Sequence, residues 1–236
     1  MMLLGMDTTT PNLVLGLQRG PLFLDGFSTN FNISHSKNLL LEINKILKHH
    51  KLKIKDIDAL CVGVGPGSFT GLRVGLATAK AFNICAGVKL VPVPSIDVIA
   101  QNALIANVNF LAEKIKYICV IIDAKKEKVY SSIYIYKNGE IVRKSKYMLV
   151  SVEELSKYID DKAVIIGDGL KIYGQKIFTK IRNPIILEES FWYPQALFLM
   201  KMGFKYFSKG IKTNSLNIRP LYLHPDECNV RKKNKL

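Results

Sequence analysis

Long apolar runs are missing from this chain of 236 residues. A membrane-crossing helix needs about 20 consecutive apolar residues, and no stretch approaches that. The start, MMLLGMDTTT, has no basic flank before its short apolar run and no small-residue cleavage site after it, so no leader peptide is expected. Cysteine is sparse. Cys61, Cys85, Cys119 and Cys228 lie far apart and none forms a CxxC pair. The first three sit in apolar runs where a thiol serves as a small hydrophobe, so reduced, mostly buried thiols in a cytoplasmic protein are expected. The four histidines, His35, His49, His50 and His224, make no HxxxH or HExxH pair. His35 falls at a helix start and His49 and His50 at that helix's end, as solvated or capping residues do. Neither a metal site nor a nucleophile with its base follows from spacing. Acid is short as well: Asp and Glu number 19 against 34 Lys and Arg, a net charge of +15. A basic chain attracts polyanions, tRNA among them. Yet the cations are 28 Lys and only 6 Arg, spread along the chain, and Arg is the residue favoured for bidentate phosphate and base contacts. A lysine-rich solvated surface accounts for the charge without direct nucleic-acid binding by this chain alone.

What is present is one repeat of element order. Residues 2–7 read as a strand ending in Asp7, TTTPN as a turn, LVLGLQ and LFLDGFS as two further strands. A helix from near Ser34 to His49 follows, with Leu39, Leu40, Ile43, Ile46 and Leu47 at helical spacing. Then come strand ALCVGV, the loop GPGSFTG, a helix from Thr70 to Ile84, strand KLVPV and a helix from Ser95 to Ile105. The second half begins with strand YICVIID, ending in Asp123, and the turn AKKEK. Strand VYSSIYIY, an Asn138-Gly139 hairpin and EIVRKSKYML as a third strand follow. A helix capped by Ser151, strand AVIIG, a GDG turn, helix LKIYGQKIFTKI, strand PIILEE and a helix over 194–208 complete it. Each half is therefore β-β-β-α-β-α-β-α, with Asp7 matched by Asp123 and GPG by GDG. Duplication of that unit is the layout of the actin, Hsp70 and sugar-kinase architecture, in which two mixed sheets flank a cleft. The expected lobes are residues 1–107 and 108–236, with the helix near 194–208 packing back on the first lobe and a basic tail over 229–236. Fold analogy alone assigns no chemistry.

Two loops could hold an anion. Asp7-Thr8-Thr9-Thr10 stands where actin-like nucleotide binders carry D-x-G-[ST], with Thr in place of the glycine, which narrows the backbone approach phosphate needs. A structural Asp–Thr turn is the alternative. In GPGSFTGLRVG, Gly65 and Gly67 bracket Pro66, and Ser68 and Thr70 are placed to cap a helix whose free N–H groups suit an anion. No GK[ST] follows, so this is not a P-loop, and a tight strand-to-helix turn is again the alternative. Gly71, Gly75, Ala77, Ala79 and Ala81 then form a small-residue helix able to pack closely on a neighbour.

Taken in order, MLLGMDTTTPNLVLGL, HSKNLLLEINKIL, VGVGPGSFTGLRVGLATAKAF, VPVPSIDVIAQ, IIDAKKEKVYSSIY, GDGL and RPLYL resemble the TsaB (YeaZ) family over nearly the whole chain. GPGSFTGLR is the most specific block. The resemblance implies work in the pathway that places threonylcarbamoyl on N6 of the adenosine beside the anticodon of tRNA. A TsaD-like paralogue then carries the metal and nucleotide and performs the transfer. A TsaE-like ATPase joins the pair and tRNA enters the assembled complex; for the isolated chain, homodimer and monomer are both left open. TsaD-like proteins carry HxxxH just after the last strand of the first lobe; Ser95 and Ile99 stand there, and Ile ligates no metal. His224 stands where many relatives have Arg. The expectation is a non-catalytic docking subunit that binds no cofactor strongly, with ATP and metal in its partners. Asp7, Thr8, Gly65, Gly67, Ser68 and Thr70 are then a vestigial anion loop. The helices of the first lobe are the implied docking surface, with Leu39, Leu40, Ile43, Leu72, Arg73 and Leu76 as interface candidates. The alternatives are an actin-fold phosphotransferase, which needs an intact D-x-G-T turn, and a glycopeptidase-like metallopeptidase, which needs ligands absent from this sequence.

Overall fold

The structure, a computed structural model, describes residues 1–30, 35–106, 108–109, 115–159 and 162–223. The helix start at Ser34, the lobe boundary at residue 107, His224, Cys228 and the tail 229–236 lie outside them. Among the described residues no helix is long and apolar enough to cross a membrane.

The first half runs β1 (Met2–Asp7), β2 (Asn12–Arg19), β3 (Leu22–Asn30), α1 (His35–His49), β4 (Ala59–Gly63), α2 (Phe69–Ala86), β5 (Lys89–Val93) and α3 (Ser95–Gln101). The second runs β6 (Tyr117–Asp123), β7 (Val129–Lys137), β8 (Glu140–Arg143), β9 (Met148–Val150), α4 (Val152–Ser156), β10 (Ala163–Ile166), α5 (Leu170–Lys180), β11 (Ile185–Ile186) and α6 (Ala196–Ser208). The sheets have orders β3-β2-β1-β4-β5 and β11-β10-β6-β7-β8. In each, an antiparallel meander continues into two parallel strands, with β1 and β6 in equivalent places. This is the duplicated two-lobed actin-like architecture.

EIVRKSKYML departs from a single strand. Lys144 and Ser145 both donate to the Ile133 carbonyl, and the Ser145 hydroxyl accepts the Ile133 N–H at 2.9 Å. A side chain thus replaces a ladder partner and splits the segment into β8 and β9. The helix after β5 also ends early, at Gln101, where the chain tightens into a 3-10 turn. Its Asn102 amide donates to the carbonyls of Phe191 and Tyr193 at 2.7 and 2.8 Å.

Helix exchange binds the halves. α6 covers the first sheet: Ala196, Phe198, Leu199 and Met200 are buried with Leu3, Val14, Cys61 and Val91. α3 covers the second: Ile96, Ile99 and Ala100, with Ala103 of the turn after it, are buried with Ile118, Val120, Tyr134 and Ile166. The seat for α6 is a row of glycines across three strands, since Gly5 pairs with Gly16 and Gly16 with Gly26. Met200 and Ala196 fill that row. A Cβ on Gly16 would lie 2.6 Å from Met200 Cγ, one on Gly26 would lie 2.9 Å from Ala196 Cβ, and one on Gly5 would overlap Met200 Sδ. Cys61 packs the same way under Gly203. Burial pushes the thiols of Cys61 and Cys119 up to about 12, which makes them inert hydrophobes. Cys85 corrects the expectation of burial: it is exposed on α2.

α3 also brings a carboxyl to the second sheet. Asp97 accepts hydrogen bonds from Tyr134 and Tyr147, each at 2.7 Å, and the Arg143 guanidinium lies 3.9 Å above the Tyr147 ring. Burial raises the Asp97 pKa, while the two tyrosine hydroxyls and then Arg143 pull it back down. Beside it a cavity of 570 Å³ opens between α3, α6 and β8, lined by Gln101, Arg143, Phe198, Lys201 and Lys205 among others.

Two outcomes follow from this packing. Gly16→Val destabilises the protein because the new side chain enters the space of Met200, and Met200→Ala alone costs about 2–5 kcal/mol. Combined, the two lose less than their sum, because the shortened residue 200 vacates that space; urea unfolding of both single variants and the double checks it. For Asp97 the folded pKa lies above the unfolded one. Its contribution is therefore complete below the ordinary carboxylate range and is lost as pH rises through the raised folded value. The stability of the wild type relative to Asp97→Asn falls across that window, read as the difference in urea midpoints against pH.

Candidate functional site

The ends of β1 and β4 bring the two candidate loops together. Asp7, Thr8, Thr9 and Thr10 are all buried. Asp7 Oδ1 accepts from the Thr9 N–H at 2.8 Å and from the Thr9 hydroxyl at 2.6 Å, closing an Asx-type turn. The Thr8 hydroxyl donates to the Gly71 carbonyl at 2.7 Å, and the Ser68 N–H donates to the Thr9 carbonyl at 2.7 Å. Ser68 is the N-cap of α2, its hydroxyl accepting from the Gly71 N–H at 3.2 Å. Thr70 is not a cap: it lies inside the first helical turn, exposed.

The glycines of this block make room for the threonine turn. A Cβ on Gly67 would overlap the Thr9 carbonyl, one on Gly71 the Thr8 carbonyl, and one on Gly75 would lie 2.5 Å from Thr8 Oγ1. The small-residue face of α2 is thus seated on residues 8 and 9 of its own chain. The amides of Thr9, Ser68 and Gly71, which a phosphate-binding turn would aim at a ligand, donate to protein oxygens instead. Gly65 has φ +95°, its N–H donates to Ser95 Oγ at 3.1 Å, and its carbonyl accepts from the Ser95 N–H at 2.8 Å. Ser95 is therefore a tie between the glycine loop and α3. Ile99, four residues on, is fully buried in the apolar cluster against the second sheet. Neither position offers a metal ligand pointing into open space.

The matching loops of the second lobe are closed in a related way. Asp168 of the GDG turn accepts the Asp123 N–H at 3.1 Å, and burial raises its pKa. Gly169 donates to the Ile121 carbonyl at 3.2 Å. Asp123 in turn accepts the Lys125 N–H at 2.8 Å and pairs with its ammonium.

The outer surfaces of α1 and α2 separate the interface candidates into two groups. Leu39 and Ile43 of α1 and Leu72 and Leu76 of α2 are buried. Leu39, Ile43 and Leu76 pack with Leu15, Leu17 and Val62 beneath the first sheet. This corrects their reading as partner-facing: they are the stripe each helix needs for its own lobe. Leu40 and Arg73 stand outward. Leu40 is 56% exposed and its neighbour Leu41 58%. On α2 the outward stripe is Phe69, Thr70, Arg73, Ala77, Ala81 and Ile84, with no acidic residue in the helix. Arg73 lies 3.8 Å over the Phe69 ring, and Phe69 meets Tyr222 at 6.1 Å between centroids. Tyr222 is brought there by the returning C-terminal segment, whose Leu221 N–H donates to the Val64 carbonyl at 2.8 Å. Both aromatic rings are more than half exposed. Between the helices, Leu40, Leu47, Leu52 and Phe82 line a groove of 550 Å³ rimmed by Lys48, Lys51 and Lys53. Phe69 and Tyr222 were not singled out in the sequence. The i, i+4 spacing of Phe69 and Arg73 was the available signal; the approach of Tyr222 had none.

Comparison with known proteins agrees with this architecture. The family model of TsaD, tRNA N6-adenosine threonylcarbamoyltransferase, matches residues 30–191. The tRNA threonylcarbamoyladenosine biosynthesis protein TsaB of Haemophilus influenzae is 27% identical, covering 94% of this chain and 92% of its own. The protein of the same name from Bacillus subtilis is 26% identical over 75% of each. YeaZ from Pseudomonas aeruginosa superposes with a TM-score of 0.80 at 22% identity, over 94% of this chain and 99% of that one. The chain belongs to the TsaD family, in its TsaB (YeaZ) branch.

Proposed function

We propose that this chain is a non-catalytic subunit of the cytoplasmic machinery that makes N6-threonylcarbamoyladenosine in tRNA. Its task is to dock a longer TsaD-like paralogue through the outer face of α1 and α2. The observation that carries the docking role is that face itself: two exposed leucines on α1 beside an exposed stripe of α2 that holds no acid and starts in an aromatic–arginine stack. Aromatic and arginine anchors dominate protein interfaces, and an apolar helix face this open is a partner surface rather than a solvated one. The lysine-rimmed groove beside Leu40 adds a preference for an acidic partner surface.

A supporting role, rather than catalysis, is favoured by the state of the loops. The amides of Thr9, Ser68 and Gly71 and the Thr8 hydroxyl are engaged within the protein, and Thr8 and Thr9 fill the space over Gly67, Gly71 and Gly75. Strong nucleotide or metal binding at the cleft is therefore assigned to the partner. Within the same proposal, a TsaE-like ATPase and tRNA join the assembled pair, and in the isolated protein the uncovered face is open to a second copy. The phosphotransferase reading lacks an open phosphate turn. The metallopeptidase reading lacks ligands where Ser95 is tied to Gly65 and Ile99 is buried.

A subunit-omission assay tests the role. With paralogue, ATPase, threonylcarbamoyl-adenylate and tRNA supplied, modified adenosine forms only when this chain is present, and the chain incubated alone with adenylate, metal and tRNA forms none. Leu40→Glu and Arg73→Glu, made separately, keep the wild-type melting temperature and weaken binding to the paralogue by about 2 kcal/mol or more, roughly 30-fold in Kd. Leu76→Glu instead unfolds the first lobe. Turnover by the isolated chain, or normal binding by both surface variants, contradicts the proposal.

A further inference from the structure

Asp25, His49 and His50 gather on the first lobe, at the C-terminal end of α1 over strand β3, and none of the three lines the groove between α1 and α2. One ligand atom from each lies within 4.8 Å of the others. His50 Nε2 and Asp25 Oδ2 are already 3.0 Å apart, and the two imidazoles meet edge to face with centroids 5.0 Å apart. We propose that these three side chains form a binding site for a divalent metal of the zinc class. Tetrahedral zinc, with bonds of about 2.0–2.1 Å to nitrogen and oxygen, sets its ligand atoms roughly 3.3 Å apart. The pair at 3.0 Å is close to that spacing, and His49, exposed at the surface with its ligand atom within 4.8 Å of the other two, is the one that must draw in.

The backbone under the site is fixed before any metal arrives. Beyond α1, the Leu52 N–H donates to the Leu47 carbonyl at 2.8 Å and the Lys51 N–H to the Lys48 carbonyl at 3.0 Å, with Lys51 in the left-handed region at φ 56°. This closure holds the two consecutive histidines at the helix end. Asp25 is held by the pairing of β3 with β2, opposite Leu17. The negative end of the α1 dipole favours a cation there. Two imidazoles are borderline ligands, and in a set with one hard carboxylate they favour zinc, cobalt or nickel over magnesium or calcium. Three protein ligands leave a fourth position toward solvent. Lys48 and Lys51 flank the site; the Asp25 carboxylate and the carbonyl end of α1 offset their repulsion. Bound metal would cross-link α1 to edge strand β3.

The test uses the full chain without a polyhistidine tag, stripped with chelator and titrated with zinc chloride by calorimetry, then with cobalt for its tetrahedral absorption bands. One equivalent of zinc binds to the wild type. His49→Ala and Asp25→Asn each weaken binding by more than about 10-fold, since even outer-shell partners of a metal site contribute that much. Cys85→Ser, which removes the exposed thiol, binds as the wild type does. Melting of the metal-free variants at the wild-type temperature shows that the fold is intact. Failure to bind an equivalent of zinc, binding unchanged in His49→Ala, or binding lost in Cys85→Ser instead would overturn the proposal and leave His50 and Asp25 as an ordinary ion pair.

Discussion

The structure depends on the exchange of α3 and α6 between the two sheets. A five-stranded sheet that buries both faces needs helices on both, and neither half supplies enough for itself. α1 and α2 cover one face of the first sheet, and the other is covered by α6, which the chain reaches only after building the second lobe. α3 does the converse for the second sheet. The glycine row Gly5, Gly16 and Gly26 lets Met200 and Ala196 approach the strands closely, so that contact is specified by shape as well as by hydrophobicity. With the inner faces fixed in this way, α1 and α2 are left as the outer wall of the first lobe.

The same constraint explains how a loop of nucleotide-binding layout becomes a joint. In a phosphate-binding turn, small residues leave room for a ligand between turn and helix. Here the threonine backbone occupies that room, and the hydroxyl of Thr8 bonds the Gly71 carbonyl. The glycines are necessary because the chain itself occupies the space a Cβ would take. The loop now fixes where α2 starts, and with it the position of Phe69 and Arg73. A loop packed in this way sets the position of an exposed aromatic–arginine pair one turn away.

Much of this was legible in the sequence, for identifiable reasons. Element order follows from periodicity and turn residues, and the threonine in place of glycine at the first turn announced a tighter packing there. The partition of α1 was not legible. Leu39 and Leu40 are adjacent and chemically identical, yet one is buried and the other stands outward, because the 100° between them straddles the edge of the buried stripe. Burial also looks alike whichever sheet does the covering, so Ile96 and Ile99 gave no sign that they pack on the second sheet. The split of β8 from β9 rests on one hydroxyl, Ser145, replacing a backbone partner, which strand propensity does not encode. Tyr222 meets Phe69 across more than 150 positions of sequence, beyond the reach of any local pattern.

In the proposed complex α1 and α2 meet the partner while the cleft loops stay closed. Hydrogen exchange of this chain, free and mixed with a TsaD-like paralogue, reads both at once. Slowed exchange on binding is expected across residues 40–48 and 69–84, with the amides of Thr9 and Ser68 equally protected in both states. Protection confined to the second lobe, or a large change at Thr9 and Ser68 without one on α1 and α2, would contradict it.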